Sequence, residues 1–356
     1  MIIPLFVTYG GCPHRCIFCN VKKTAGLPRE KISAASLRKT VHAHLATAQK
    51  NAPVQLAFYG GSFTGMEREY QAELLGAARS LVHCGLIDGI RVSTRPDCLD
   101  EDRIALLEEF GVGTVEIGVQ SLVDDVLTRA GRGHSAADVI GAVTRLKTRG
   151  FETGVQLMVG LPGDTPERFA RTVEGTIALA PHLVRIHPML VLPDTPLAEA
   201  YARGEYEPLG MEEAIKACKW ALRMFAAARI PVIRVGLQTN AEMEAAGGVI
   251  AGPFHPAFRS LVEESLFLDM AASLLTSGED RGEDAYFSLS PRDISHLRGH
   301  RNKNLYLLKK RFGLKDIAVC ADPEQKRGSL ALRASDGTLR HTSLAAPPLD
   351  NIPNWL

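Results

Sequence analysis

Gly11-Cys12-Pro13-His14-Arg15-Cys16-Ile17-Phe18-Cys19-Asn20 follows directly on the first β-like run of the chain and spaces three cysteines as C-x3-C-x2-C. Three thiolates on one short loop can reach three corners of a cubane 4Fe-4S cluster, whose ordinary electron-carrying form takes four cysteines. Leaving the fourth out leaves one iron open to a small chelating ligand. A structural zinc site is the competing reading, but zinc favours paired C-x2-C units on small modules. The other cysteines, Cys84, Cys98, Cys218 and Cys320, are dispersed without ligand spacing, so each is expected to be a small buried apolar residue.

Outward from that loop, β-like runs at 2–7, 54–59, 90–93, 114–119, 155–159 and 183–186 alternate with amphipathic helical patterns at 34–49, 67–84, 101–110, 136–149, 167–179 and 212–228. Ser, Asp or Thr precedes several of the helices as an N-cap candidate, and Gly111 and Gly150 fall where C-caps belong. Strict βα alternation with right-handed crossovers, and no Gly-rich dinucleotide fingerprint, predicts an α/β fold, a partial (βα)6 TIM-like barrel over residues 1–230. From about Pro231 the pattern weakens. Gly252-Pro253-Phe254-His255-Pro256 punctuates it, a helix is expected at 257–275, a linker at 278–284, and strands at 317–320 and 330–333. Residues 231–356 therefore read as a smaller α+β extension that faces substrate or closes the barrel.

The chain has 356 residues, and its 46% apolar and 23% charged content matches folded globular proteins. Lys and Arg total 41 against 40 Asp and Glu, a net charge of +1, so any polyanion site must be local. One basic stretch, from Arg292 to Lys315, has that character. A solvated helix face is its plainer reading, with Leu305, Leu307, Leu308 and Phe312 on the core side. Lys22 and Lys23 carry the same two readings. No run approaches the roughly 18 apolar residues of a membrane span, and no export signal is visible, so a cytoplasmic protein without membrane contact is expected.

More motifs fall at the C-terminal ends of the predicted strands, where barrel active sites assemble. They are Gly60-Gly61-Ser62-Phe63 after the second, Ser93-Thr94-Arg95-Pro96-Asp97 after the third, Glu116-Ile117-Gly118-Val119-Gln120-Ser121 ending the fourth, then Gly131-Arg132-Gly133-His134, and Gly160-Leu161-Pro162-Gly163-Asp164 after the fifth. Together with the cysteine loop this set resembles the radical S-adenosylmethionine (SAM) superfamily. The resemblance implies a 4Fe-4S cluster on Cys12, Cys16 and Cys19. It also implies SAM held by Phe18, Gly60, Gly61, Ser62, Ser93, Glu116, Arg132 and Leu161, with Arg132 as a fork for its carboxylate. For Glu116 the residues alone leave a buried salt bridge open, and His134 reads as a packing residue. Electron transfer into the sulfonium would give a 5′-deoxyadenosyl radical, with a flavodoxin or ferredoxin type protein as reductant. No residue is singled out as the catalytic acid, base or hydrogen donor.

Over residues 1–230 the motifs are similar to the radical domain of the catalytic subunit of the Elongator complex, which implies modification of tRNA. Two departures are visible: the cysteine spacing is more compact, and no Q/R-x-x-G-x-G/A pyrophosphate loop of an acetyltransferase follows. Two other readings stand beside it, a radical SAM enzyme acting on a small metabolite or tetrapyrrole, and a non-catalytic metal-dependent RNA-binding module.

Overall fold

The computed structural model describes residues 1–8, 10–25, 31–47, 53–275, 280–334 and 337–346. The side chains of Lys22 and Lys23, the end of the 34–49 helix pattern and residues 278–279 of the expected linker lie outside the described residues. Strands β1 (Ile2–Phe6), β2 (Gln55–Tyr59), β3 (Gly89–Thr94), β4 (Val112–Gln120), β5 (Glu152–Val159) and β6 (Leu183–Pro188) pair in parallel, each with the next in sequence. The sheet order runs on to β7 (Val232–Val235). Strands β8 (Asp284–Leu289), β9 (Asp316–Ala321), β10 (Ser329–Arg333) and β11 (Leu339–Ser343) form a second, mixed sheet in the order β11-β10-β8-β9. The architecture is thus a parallel half-barrel plus a small mixed sheet, with seven strands in the first sheet where the β-like runs predict six. The extra strand is four residues long, too short to stand out as a periodic run.

The helices start where side chains can satisfy their first free N–H groups. Asp100 accepts from Arg103 N at 2.9 Å, Ser135 and Asp138 form a reciprocal capping box, and Thr165 caps a helix with Pro166 in its first turn. Gly111 and Gly150, at φ +73° and +78°, end two others by donating to Glu108 and Lys147 carbonyls at 3.0 Å. Such φ values suit glycine because no Cβ meets the backbone.

One face of the parallel sheet is apolar throughout. Leu56 and Phe58 on β2, Val92 on β3, Val115, Ile117 and Val119 on β4, Leu157 on β5 and Ile186 on β6 are 1% exposed or less. The alternate positions carry Tyr59, Arg91, Ser93, Glu116, Gln156 and Arg185. Parallel strands usually read as continuous apolar runs because helices cover both faces. Here the period of two marks one face as apolar core and the other as a polar face whose buried charges need partners.

The chain divides into two compact units, Met1–Gly210 with Leu237–Phe254, and Met211–Gly236 with His255–Leu356. In the second unit Leu266, Phe267 and Met270 of helix Phe258–Leu274 pack with Phe287, Leu308 and Leu332. Cys98 and Cys218 are buried as expected, but Cys84 and Cys320 are exposed. Cys84 is the C-cap of a surface helix, and Cys320 sits on the edge strand β9. Among the described residues no helix is long and apolar enough to cross a membrane.

Candidate active site

The cysteine loop is anchored through the backbone of Ile17 and turned on itself at Cys19. Ile17 N–H donates to Ala130 O at 3.2 Å, Leu197 N–H donates to Ile17 O at 2.9 Å, and Cys19 N–H donates to Cys16 O at 3.1 Å. The turn after β2 lies against it. A Cβ on Gly60 would stand 3.1 Å from Val7 O and one on Gly61 3.3 Å from Gly10 O, while side chains at Gly11 or Gly65 would run into Ser62 O or Gly11 O. Glycine is needed at these positions because two backbones pass each other at contact distance. Ser62 Oγ and Thr94 Oγ1, 2.9 Å apart and both buried, tie the ends of β2 and β3 together.

Two arginines close on the loop. Arg132, buried, donates from Nη1 to Cys16 Sγ at 3.1 Å and from Nη2 to Gly118 O; Arg95 Nη1 lies 3.7 Å from the same sulfur and its Nη2 donates to Arg132 O. Arg95 is oriented by Asp97, 3.0 Å from its Nε, and Asp97 also has His14 and His134 at 3.8 Å. Burial, then Arg132 and Arg95, hold the His134 imidazole down to about 4, so it stays neutral as a packing residue and meets Val119 O through Nε2 at 3.3 Å. Neither arginine–sulfur contact is visible in the spacing of the motifs, because the partners are 79 and 116 residues apart.

The fit to a cluster rests on the donor set. Three sulfurs share one loop and act on each other: although Cys19 is solvent-accessible at the residue level, protein surrounds its sulfur, and burial, then Cys16 and Cys12, push the thiol up to about 12. Like-charged sulfurs repel until a cation lies between them. In the chain's own arrangement Cys16 turns to Arg132 instead, and among the described residues no three His, Cys, Asp or Glu side chains gather on one point. Among the described residues Arg132 Nε–H, buried beside Cys16, meets no acceptor. That orphan donor, the three thiols and the glycine contact surface suit an anionic, thiolate-bound cluster with a small anionic ligand.

Of the residues expected at the SAM site, Gly60, Gly61 and Ser62 lie against the loop and Arg132 reaches Cys16. Phe18 and Leu161 meet in one apolar cluster with Val126, Met158 and Leu197, and Tyr206 donates to Gly160 O at 2.6 Å beside it. Ser93 is half-buried on the polar face, in register with Glu116. The Glu116 carboxylate is fully engaged: Oε1 accepts from Tyr59 Oη at 2.9 Å, Arg91 Nη1 at 2.8 Å and Arg185 Nη2 at 3.0 Å, while Oε2 lies 2.6 Å from Arg185 Nε. The buried salt bridge is what the structure shows for this residue. Tyr59 and Arg91 are parts of the polar face that motif reading passes over, and Arg185 opens the Arg185-Ile186-His187-Pro188 run of the sixth strand, to which that reading gave no role. Their signal was the alternation along β2, β3 and β6, but only strand register brings them to one carboxylate.

A half-barrel with a three-cysteine loop at its strand ends defines a cluster-dependent enzyme of the radical type. The chain matches the radical SAM superfamily model over residues 6–174 and the radical SAM C-terminal domain model over 181–267. It belongs to the radical SAM superfamily and is a radical SAM enzyme, with a 4Fe-4S cluster and SAM as cofactors and a need for a reductant. It is 29% identical over 259 residues to a tRNA uridine(34) acetyltransferase of Methanocaldococcus infernus, an alignment covering 62% of this chain and 48% of that one. It is 27% identical over 188 residues to the heme chaperone HemW of Bacillus subtilis, covering 52% of this chain and 49% of that one. The chain thus spans about half the length of these curated relatives. Among solved structures, the archaeal M. infernus Elp3 with an N-terminal deletion superposes with a TM-score of 0.61 at 20% identity, over 93% of this chain and 72% of that one, a likeness of fold.

Proposed function

We propose that this radical SAM enzyme modifies RNA, with tRNA as the substrate, using Cys12, Cys16 and Cys19 to hold the cluster. The similarity to tRNA uridine(34) acetyltransferases carries this reading. When bound, the cluster and SAM supply a 5′-deoxyadenosyl radical by reductive cleavage of a carbon–sulfur bond. Phe18 and Leu161 offer an apolar wall to the nucleoside, and the glycine turn at Gly60 and Gly61 with Ser62 offers backbone carbonyls to the amino group. Ser93 supplies a hydroxyl, and the unshared Nε–H of Arg132 a donor for an anionic group. Glu116 acts in this reading by fixing Arg91, Arg185 and Tyr59 along the polar face. The electron donor is a flavodoxin or ferredoxin type protein. From that likeness the reading takes the radical chemistry and the RNA substrate, and it includes no acetyl transfer.

Anaerobic reconstitution followed by reduction is expected to give a brown protein that converts SAM to 5′-deoxyadenosine, read by chromatography. Cys16→Ser is expected to lower bound iron and remove the product. A fully loaded protein that leaves SAM intact overturns the reading. Nucleoside analysis of tRNA from cells with and without the gene is expected to show one modified nucleoside missing; unchanged tRNA removes the RNA assignment. The match to HemW carries a second reading, a tetrapyrrole ligand, which a haem titration followed by absorbance tests directly.

A further inference from the structure

In the second unit the sequence from Ile294 to Lys315 contains no Asp or Glu and seven Lys or Arg. The structure sorts them. Helix Lys303–Phe312 buries Asn304, Leu308 and Phe312, and the opposite stripe presents Lys303, Tyr306 and Lys310, three and four positions apart. Tyr306 is 64% exposed, the most exposed large apolar side chain among the described residues. Not every cation is available, since Lys309 pairs with Asp316 at 3.0 Å and Lys315 faces Asp284 at 3.9 Å. The nearby carboxylates on the packed helix are also committed. Glu263 holds Arg259 and His296 at 2.9 and 3.2 Å, and Glu264 accepts from His300 N–H at 3.1 Å. Among the described residues, Lys303 and Lys310 face no carboxylate within ion-pair distance.

We propose that this stripe, Lys303, Tyr306 and Lys310 with Arg301 beside it, is an RNA-docking surface on which the cations hold phosphates and the Tyr306 ring stacks one unpaired base. The inference rests on the RNA reading above and gives that reading a place on the molecule. Cations matched to carboxylates contribute little to a partner, whereas unmatched ones release counterions when they meet phosphates. A lone aromatic ring among them suits a base better than a bilayer, which would need an apolar stripe rather than one phenol between lysines. An acidic protein would use the charges and leave the ring without a role.

The test is binding of a labelled tRNA transcript to the reconstituted full chain, by fluorescence anisotropy across a salt series. Tyr306→Ala is expected to weaken binding by about 5- to 100-fold, with Tyr306→Phe close to wild type. Lys303→Gln with Lys310→Gln is expected to reduce the slope of log affinity against log salt by about two, and Lys309→Gln to leave it unchanged. SAM cleavage without RNA and the urea midpoint are expected to stay at wild-type values in all four. Variants that bind as the wild type does overturn the docking surface and leave the RNA reading standing. A wild-type protein that binds no tRNA overturns both, and loss of binding to phosphatidylglycerol vesicles instead of tRNA in the same variants overturns the RNA surface in favour of a lipid one.

Discussion

The arginines of the half-barrel and the lysines of the second unit have the same charge and opposite circumstances. Arg91 and Arg185 point from β3 and β6 to one buried carboxylate, Glu116, within 3.0 Å, and Tyr59 completes the set. Lys303 and Lys310 are exposed and, among the described residues, pair with no carboxylate. Removing a charge from water costs several kcal/mol unless a partner meets it, so a buried cation is tolerated only where the fold supplies its counter-charge. An exposed cation carries no such cost and is free to find a counter-charge on another molecule. Charges of the first kind fix a surface in shape, and charges of the second kind leave it open to a partner.

The largest way to break this contrast is Glu116→Gln, which leaves two guanidiniums facing a neutral amide. A loss of about 3–5 kcal/mol in urea unfolding is expected. A loss below about 1 kcal/mol would mean that the other partners of Arg91, Gln55 at 2.8 Å and Glu152 at 3.7 Å, suffice to hold the charge, and the contrast would fail. Asp164 sharpens it from the side of a half-buried acid that, among the described residues, forms no ion pair, with Arg168 acting on it only at longer range. Burial pushes its carboxyl up to about 7, partly offset by N–H donors from Gly160 and Thr165 at 3.1 Å. Between the ordinary carboxylate value near 4 and about 7 the folded chain binds a proton that the unfolded chain has released. Stability is therefore expected to fall as pH rises through that window, and Asp164→Asn to remove that part of the slope in urea midpoints taken from pH 4 to 8. Smallest of all, Lys303→Glu is expected to change the unfolding free energy by about 0.5 kcal/mol or less while it weakens RNA binding.

Much of the half-barrel was legible before any coordinates. Alternation of β-like and amphipathic runs, a Ser, Asp or Thr ahead of several helices, and the cysteine loop after β1 are local features, set by residues within a turn or two of each other. The exposure of Cys84 and Cys320 was not, because a lone cysteine has the same letter on a helix end as in a core. Nor was β7, whose four residues carry too little periodicity to read. In the site, the loop and the Gly60-Gly61 turn were recognisable as motifs, while the grip of Arg132 and Arg95 on Cys16 and of Arg91, Arg185 and Tyr59 on Glu116 was not.

The amino-acid order alone determined which chemistry is available, since three cysteines at C-x3-C-x2-C and glycines at strand ends are matters of composition and short spacing. Tertiary structure decided which charges are matched and which remain free. That depends on strand register and on which side of a helix meets the core, and these bring together groups tens of residues apart, where spacing along the chain holds no information about distance in space.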